Sequence, residues 1–280
     1  MKKINLIMAS FLTLLIAGCG APTNKESEEK SSTEEFADLG EEEGFAEKHD
    51  EPKEIEDNFE GNMISIAVEG GDSANVYHLK NQSETNKYLF VIHEWWGLNN
   101  HIKREADKWF TELGNVNVMA LDLYDGEMAT TREKATELMQ GADEERIQKI
   151  IDAALAQLPS NAKVATVGWC FGGGWSLRTA LRAGNKTAAC VMYYGMPVKD
   201  VERLKTLNSD VLFIYGTQDE WINEEVANNF EENMKAANKE VKIMAFDADH
   251  AFANPTGEHY LEDAAMEANQ AALEFIKKRM

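Results

Sequence analysis

The sequence predicts one α/β domain, a mostly parallel central sheet of about eight strands with helices on both faces, preceded by an export signal and an acidic leader. Three observations predict it. Short runs of Val, Ile and Phe with little polar alternation mark strands buried on both faces. These runs alternate with stretches whose apolar residues fall at three- and four-residue spacing, the pattern of helices packed on a sheet. The chain of 280 residues, 44% of them hydrophobic, is long enough for one such domain beyond its leader. With 49 acidic against 28 basic residues the net charge is -21, and no Lys/Arg-rich stretch offsets it. Such a surface repels phosphate backbones, so nucleic acid is not expected as a partner.

In chain order, Lys2 and Lys3 precede an apolar run over 4–16, which ends in Leu15, Ile16, Ala17, Gly18 and Cys19. A membrane-spanning helix takes about 20 apolar residues, so this shorter run with its charged start fits an export signal over 1–18. Its last five residues resemble the lipobox of bacterial lipoproteins. That resemblance implies cleavage before Cys19, lipidation of its thiol, and a mature protein exported and held on the membrane of the bacterial cell envelope by the lipid anchor at Cys19.

Residues 19–60 read as an acidic disordered tether. Positions 20–60 hold sixteen acids against four bases, among them Glu26, Glu28, Glu29, Glu34 and Glu35, with almost no aliphatic residues to bury. From residue 61 the pattern changes. Strands are expected over 63–68, 75–79, 88–93, 116–121, 164–169, 188–194, 211–215 and 241–246. Helices are expected over 101–113, 131–140, 144–158, 173–183, 223–237 and 258–278.

The most informative segment is the end of the fifth strand, where Gly168, Trp169, Cys170, Phe171, Gly172, Gly173 and Gly174 follow one another. A reactive side chain at the tip of a sharp strand-to-helix turn needs residues without Cβ atoms two places before and two after it, and Gly168 and Gly172 stand there. A helix beginning at Phe171 aims its positive end at the sulfur, which favours a thiolate. A dinucleotide fingerprint or a phosphate loop fails on spacing. A structural cysteine in a glycine-rich turn fits as well, unless a base and an orienting acid follow.

Both follow. Asp219 comes just after the strand over 211–215 and His250 just after the strand over 241–246, and the carboxyl ends of strands are where open parallel sheets build their sites. The order nucleophile, acid, histidine is that of α/β-hydrolases. Cys190, inside the apolar run of Ala188, Ala189, Val191 and Met192, reads as a buried inert thiol.

The chain resembles the dienelactone hydrolase family over roughly 63–280. The marks are the Cys170 turn, the segment His93, Glu94, Trp95, Trp96, Gly97, Leu98 and Asn99, then Asp122, Leu123 and Tyr124, and finally His250, Ala251 and Phe252. The resemblance implies an α/β-hydrolase fold and cysteine-based cleavage of a small ester or lactone. Cys170 would be the nucleophile, His250 the general base and later acid, Asp219 the group orienting the imidazole, and Glu94 a carboxylate that restrains the resting thiol. The backbone N–H groups of Phe171 and Trp95 would form the oxyanion hole. Arg132 matches a carboxylate-binding arginine of the family, although an exposed helix arginine reads the same way. Trp95, Trp96 and Phe252 would line an apolar pocket. Asn254 stands where a second carboxylate-binding arginine would fall, which implies a less anionic substrate.

The six histidines are scattered and form no His-Glu-x-x-His or Cys-x-x-Cys set, so no metal or organic cofactor is implied. A thioesterase or other acyl hydrolase on this scaffold and a tethered binding protein with a relic site stay open. So does a thiol redox protein with a Cys170–Cys190 disulfide. The chain is expected to act as a monomer.

Overall fold

The computed structural model describes residues 38–280 except 41, 43 and 57. The export signal and Cys19 lie outside the described residues. Eight strands form one sheet in the order β1-β2-β4-β3-β5-β6-β7-β8. They are β1 (Asn62–Ile66), β2 (Ala74–Leu79), β3 (Lys87–Ile92), β4 (Asn117–Leu121), β5 (Lys163–Trp169), β6 (Thr187–Tyr193), β7 (Val211–Gly216) and β8 (Val241–Phe246). The pairs β1–β2 and β2–β4 are antiparallel, and every later pair is parallel.

The inner strands are largely apolar because helices cover both faces: all residues of β4 and β7 are buried. The edge strand β8 is only half-buried and carries Lys242, a residue type that blunts an edge against pairing with other chains. The longer helices are α1 (Asn100–Leu113), α2 (Arg132–Gln140), α3 (Glu144–Ala156), α4 (Phe171–Ala183), α6 (Glu224–Ala236) and α7 (Glu262–Arg279), with a single turn α5 (Val201–Leu204) between β6 and β7. Asn99, Thr131, Asp143 and Asn223 cap α1, α2, α3 and α6 by accepting backbone N–H bonds in the first turn. α4 is buried almost throughout, wedged behind β5 and β6, and that fixes the position of its first residue beside Cys170.

Two expectations are corrected here. The last helix begins at Glu262 rather than 258, because the chain first closes a turn in which the Leu261 N–H donates to the Phe252 carbonyl. The expected tether does not run to residue 60. Residues 38–60 belong to the same compact unit as the sheet, with Phe45 and His49 each only 3% exposed. Phe45 joins the core of that unit, and Leu39, Ala46 and Phe59 pack against it partly buried.

Candidate active site

The turn after β5 has the geometry that its glycines predict. Cys170 holds φ 54° and ψ -120°, a left-handed conformation that costs a side-chain-bearing residue roughly 1–3 kcal/mol and persists only where its surroundings force it. Here they do. A Cβ at Gly168 would stand 2.1 Å from the Gly172 carbonyl oxygen, and one at Gly172 would stand 2.3 Å from the carbonyl oxygens of Ile92 and His93. Strand β5, helix α4 and the end of β3 therefore approach backbone to backbone, and the Cys170 side chain is left at the tip.

Asp219 follows β7 and His250 follows β8. The His250 Nδ1–H donates to Asp219 Oδ2 at 2.6 Å, and Asp219 Oδ1 accepts the backbone N–H groups of Trp221 and Ile222, each at 2.9 Å. One ring nitrogen of His250 and the Cys170 sulfur lie within 4.8 Å of each other. Burial alone would drive His250 toward its neutral form, but the facing charges of Asp219 and Cys170 outweigh it and raise the imidazole well above the usual histidine pKa. Burial likewise opposes charge on Asp219, and the attraction of His250 with the two backbone donors reverses this, holding its pKa below the ordinary aspartate value. Tyr194 packs its ring 4.9 Å from that of His250 and fixes the imidazole plane.

Glu94 lies beyond the end of β3, 2% exposed, and its Oε2 accepts from Asn254 Nδ2 at 2.6 Å. The orientation of that amide follows from its other end, since Asn254 Oδ1 accepts from the N–H and hydroxyl of Thr256. Burial pushes the Glu94 carboxyl up to about 7, against the opposing pull of His250 and Asn254. Folding therefore retains a proton that the unfolded chain releases above its ordinary 4.5, so this group makes stability fall as pH rises through that window. By about pH 8 the loss is roughly 3 kcal/mol at 1.36 kcal/mol per pKa unit. Glu94→Gln is expected to gain stability relative to wild type between about pH 5 and pH 8 by a similar amount. Calorimetric melts across that range check it, and parallel curves for the two proteins would refute it.

The remaining expected site residues are placed differently. Trp95 and Trp96 stand in the loop after β3, and both line a small cavity with Cys170 and Glu94. Phe252 is a correction: it is fully buried against Tyr194 and Phe246 and lines neither cavity beside Cys170, so it supports the histidine turn from behind. Arg132 donates its Nε–H to the His49 carbonyl at 2.7 Å, which ties it to the 38–60 segment. Cys190 and Cys170 are both free thiols, so the disulfide of the redox reading is not formed, and burial pushes Cys190 up to about 11.

Two residues escaped the sequence reading. His93 accepts the Leu123 N–H at Nε2 and donates from Nδ1 to the Glu94 carbonyl, so it joins the loops after β3 and β4 as a neutral imidazole; burial lowers its pKa to about 4. Its place in the quoted motif was visible, but its role was not. His49 was missed entirely because it lies in the acidic leader. Its Nε2 stands 3.8 Å from Cys170 Sγ, and its ring is 4.7 Å from that of His250. Burial first, and the neighbouring His250 second, lower its pKa to about 3, so it is neutral there.

The segment bearing His49 roofs the site. Phe45 meets Trp95 and Trp221 edge-on, Glu42 accepts from the Trp221 indole N–H, and Asp50 accepts from the backbone N–H groups of Glu258 and His259. Under it the two cavities touching Cys170 hold about 10 Å³ each, room for one water molecule. Cys170 is 6% exposed beneath this roof. Truncating a buried phenylalanine costs about 3–5 kcal/mol, and in a docked segment that loss appears as local opening rather than global unfolding. Phe45→Ala is expected to raise the rate of Cys170 alkylation by iodoacetamide at least about tenfold while the main melting transition shifts little. An unchanged alkylation rate would show that Phe45 does not hold the roof.

A mostly parallel sheet that carries a strained turn after β5, an acid after β7 and a histidine after β8 is the architecture of the α/β-hydrolases. Residues 74–280 match the Dienelactone hydrolase family. The chain belongs to that family. It is 26% identical over 228 residues to Carboxymethylenebutenolidase 1 of Cupriavidus pinatubonensis, a match covering 76% of this chain and 95% of that one. It is 28% identical over 204 residues to Protein usf of Aquifex pyrophilus, covering 68% and 87%. Among solved structures, a dienelactone-hydrolase-like promiscuous phosphotriesterase from metagenomic libraries shares the fold with a TM-score of 0.68 at 20% identity, covering 78% of this chain and 98% of that one.

Proposed function

We propose that the chain hydrolyses a small carboxylic ester or lactone with Cys170 as nucleophile, His250 as general base and then acid, and Asp219 as the group that orients the imidazole. The observation that carries this reading is the His250–Asp219 contact of 2.6 Å directed at a cysteine held at φ 54°. The Cys170 thiolate attacks the carbonyl carbon, and the charge that develops on oxygen is met by the N–H groups of Phe171 and Trp95. Collapse of this intermediate expels the alkoxide, which takes its proton from His250, and leaves a thioester. Water then gives a proton to His250 as it attacks the thioester, and the acid departs as the sulfur is released.

The carboxymethylenebutenolidase relatives make a lactone the natural candidate. Asn254 argues for a less anionic one. Its amide is committed to Glu94 and Thr256 and offers no positive charge, so of the family's two carboxylate-binding arginines only the one matched by Arg132 has a counterpart. The test is hydrolysis of a neutral aryl ester, a neutral enol lactone and a carboxylated dienelactone by the full chain beside Cys170→Ala. Faster turnover of the neutral compounds, lost in the variant, supports the reading. Equal inactivity of both proteins on the whole panel would sink it.

The anchored location belongs to the same proposal. Labelling with a fatty-acid precursor in a bacterial host should mark the wild-type chain and not Cys19→Ala, which should leave the membrane fraction; equal labelling would refute the anchor.

A further inference from the structure

Cys170 faces two histidines, and only one of them is used by the reaction above. One ring nitrogen each from His49 and His250 and the Cys170 sulfur lie within 4.8 Å of one another. Both imidazoles are anchored from behind. The His49 Nδ1–H donates to the Phe45 carbonyl oxygen at 2.6 Å, as the His250 Nδ1–H does to Asp219 Oδ2 at 2.6 Å. Each ring therefore turns its Nε2 toward the sulfur: that of His49 is 3.8 Å from Sγ, and that of His250, buried, has no hydrogen-bond partner. A carboxylate or backbone carbonyl behind the far nitrogen is the arrangement that fixes tautomer and direction in metal-binding histidines.

Two imidazoles and a thiolate form a borderline-soft donor set suited to zinc, whereas calcium or magnesium would call for oxygen ligands. In a tetrahedral zinc site such donor atoms stand roughly 3.3–3.6 Å apart, so small side-chain rotations close the observed triangle. All three side chains are buried, and the small cavity beside His49 and Cys170 leaves space at the cluster's edge. The sequence shows no zinc motif because the three donors come from the leader, the β5 turn and the β8 turn, and only docking of the 38–60 segment brings them together.

We propose that His49, Cys170 and His250 form a zinc-binding site, with water or a small ligand in the fourth position. Binding requires Cys170 as thiolate and both imidazoles unprotonated at Nε2, so the one proton shared by Cys170 and His250 is released to solvent. It also occupies both the nucleophile and the base, so zinc occupancy and hydrolysis exclude each other. The proposal goes beyond the hydrolase reading and stands without it, since the affinity is measured with no substrate present.

The experiment titrates the reduced, metal-free full chain with Co²⁺ as a spectroscopic probe. The expected result is a thiolate-to-cobalt charge-transfer band with the visible bands of tetrahedral cobalt, saturating at one equivalent and abolished by added Zn²⁺. Cys170→Ser should lose the charge-transfer band. His49→Ala and His49→Gln should each weaken Co²⁺ and Zn²⁺ binding at least about tenfold, glutamine guarding against a simple loss of packing at that position. Absence of the sulfur band in wild type would overturn the proposal. So would wild-type affinity in both His49 variants, which would leave the metal to Cys170 and His250 alone or to surface acids.

Discussion

Cys170→Ala is expected to reduce kcat for a neutral aryl ester on the order of 10⁶-fold, and Asp219→Asn on the order of 10⁴-fold, with both proteins folded. The two numbers differ for a structural reason. Without the sulfur no covalent intermediate forms, and the only rate left comes from substrate binding and the backbone donors at Phe171 and Trp95. With asparagine at 219 the nucleophile survives, but the amide can present its NH₂ to His250 Nδ1, which then becomes the acceptor. The imidazole proton would move to Nε2, the nitrogen that must take the proton instead. The Asp219 cradle is built for a carboxylate in one orientation: Oδ1 already receives the N–H groups of Trp221 and Ile222, which leaves Oδ2 for the histidine. Steady-state rates on one ester, with circular dichroism as a check on folding, decide the matter. If Cys170→Ala retained more than about a hundredth of wild-type kcat, the nucleophile would have to be another group.

The parts of the site that could be read from sequence are those written in local pattern. The glycines around Cys170 are set by a turn whose steric demands reach only two residues either way, and Asp219 and His250 each follow a strand whose apolar run is unmistakable. What was not legible is non-local. His49 sits 121 positions from Cys170 in a stretch whose acidic composition gives the pattern of a solvated chain. Only its two buried anchors, Phe45 and His49, distinguish it from such a chain, and they gain burial from Trp95 and Trp221, which are far away in sequence. Phe252 failed for a related reason. Its position two residues after His250 suggested a pocket wall, but Ala251 turns at φ 59° and sends the ring inward against Tyr194. Asn254 was visible as a departure from the family pattern, yet that it would bind Glu94 depended on the loop after β3 meeting the loop after β8, which no local pattern encodes.

Gly168→Ala is expected to destabilise the fold by more than about 4 kcal/mol, lowering the melting temperature by about 10 °C or more, and to abolish hydrolysis in whatever fraction remains folded. The added methyl would meet the Gly172 carbonyl oxygen at 2.1 Å and its carbon at 2.4 Å, and both are backbone atoms of the helix that positions Cys170. Neither side can retreat. Gly168 pairs with Ile92 on one side and Met192 on the other, and Gly172 lies against the carbonyls of Ile92 and His93. The clash can be relieved only by moving α4 away from β5, which would also carry the Phe171 N–H out of the oxyanion position proposed for it. Gly184→Ala separates this from a general intolerance of glycine replacement. Gly184 has φ 53° but open space around its Cβ position, so alanine there bears only the backbone cost, about 1–3 kcal/mol. Thermal melts of the two variants should therefore differ by several degrees in the stated order, with activity kept in Gly184→Ala. Equal losses would mean that the turn at Cys170 is governed by backbone conformation alone and that the close approach of α4 to β5 can relax.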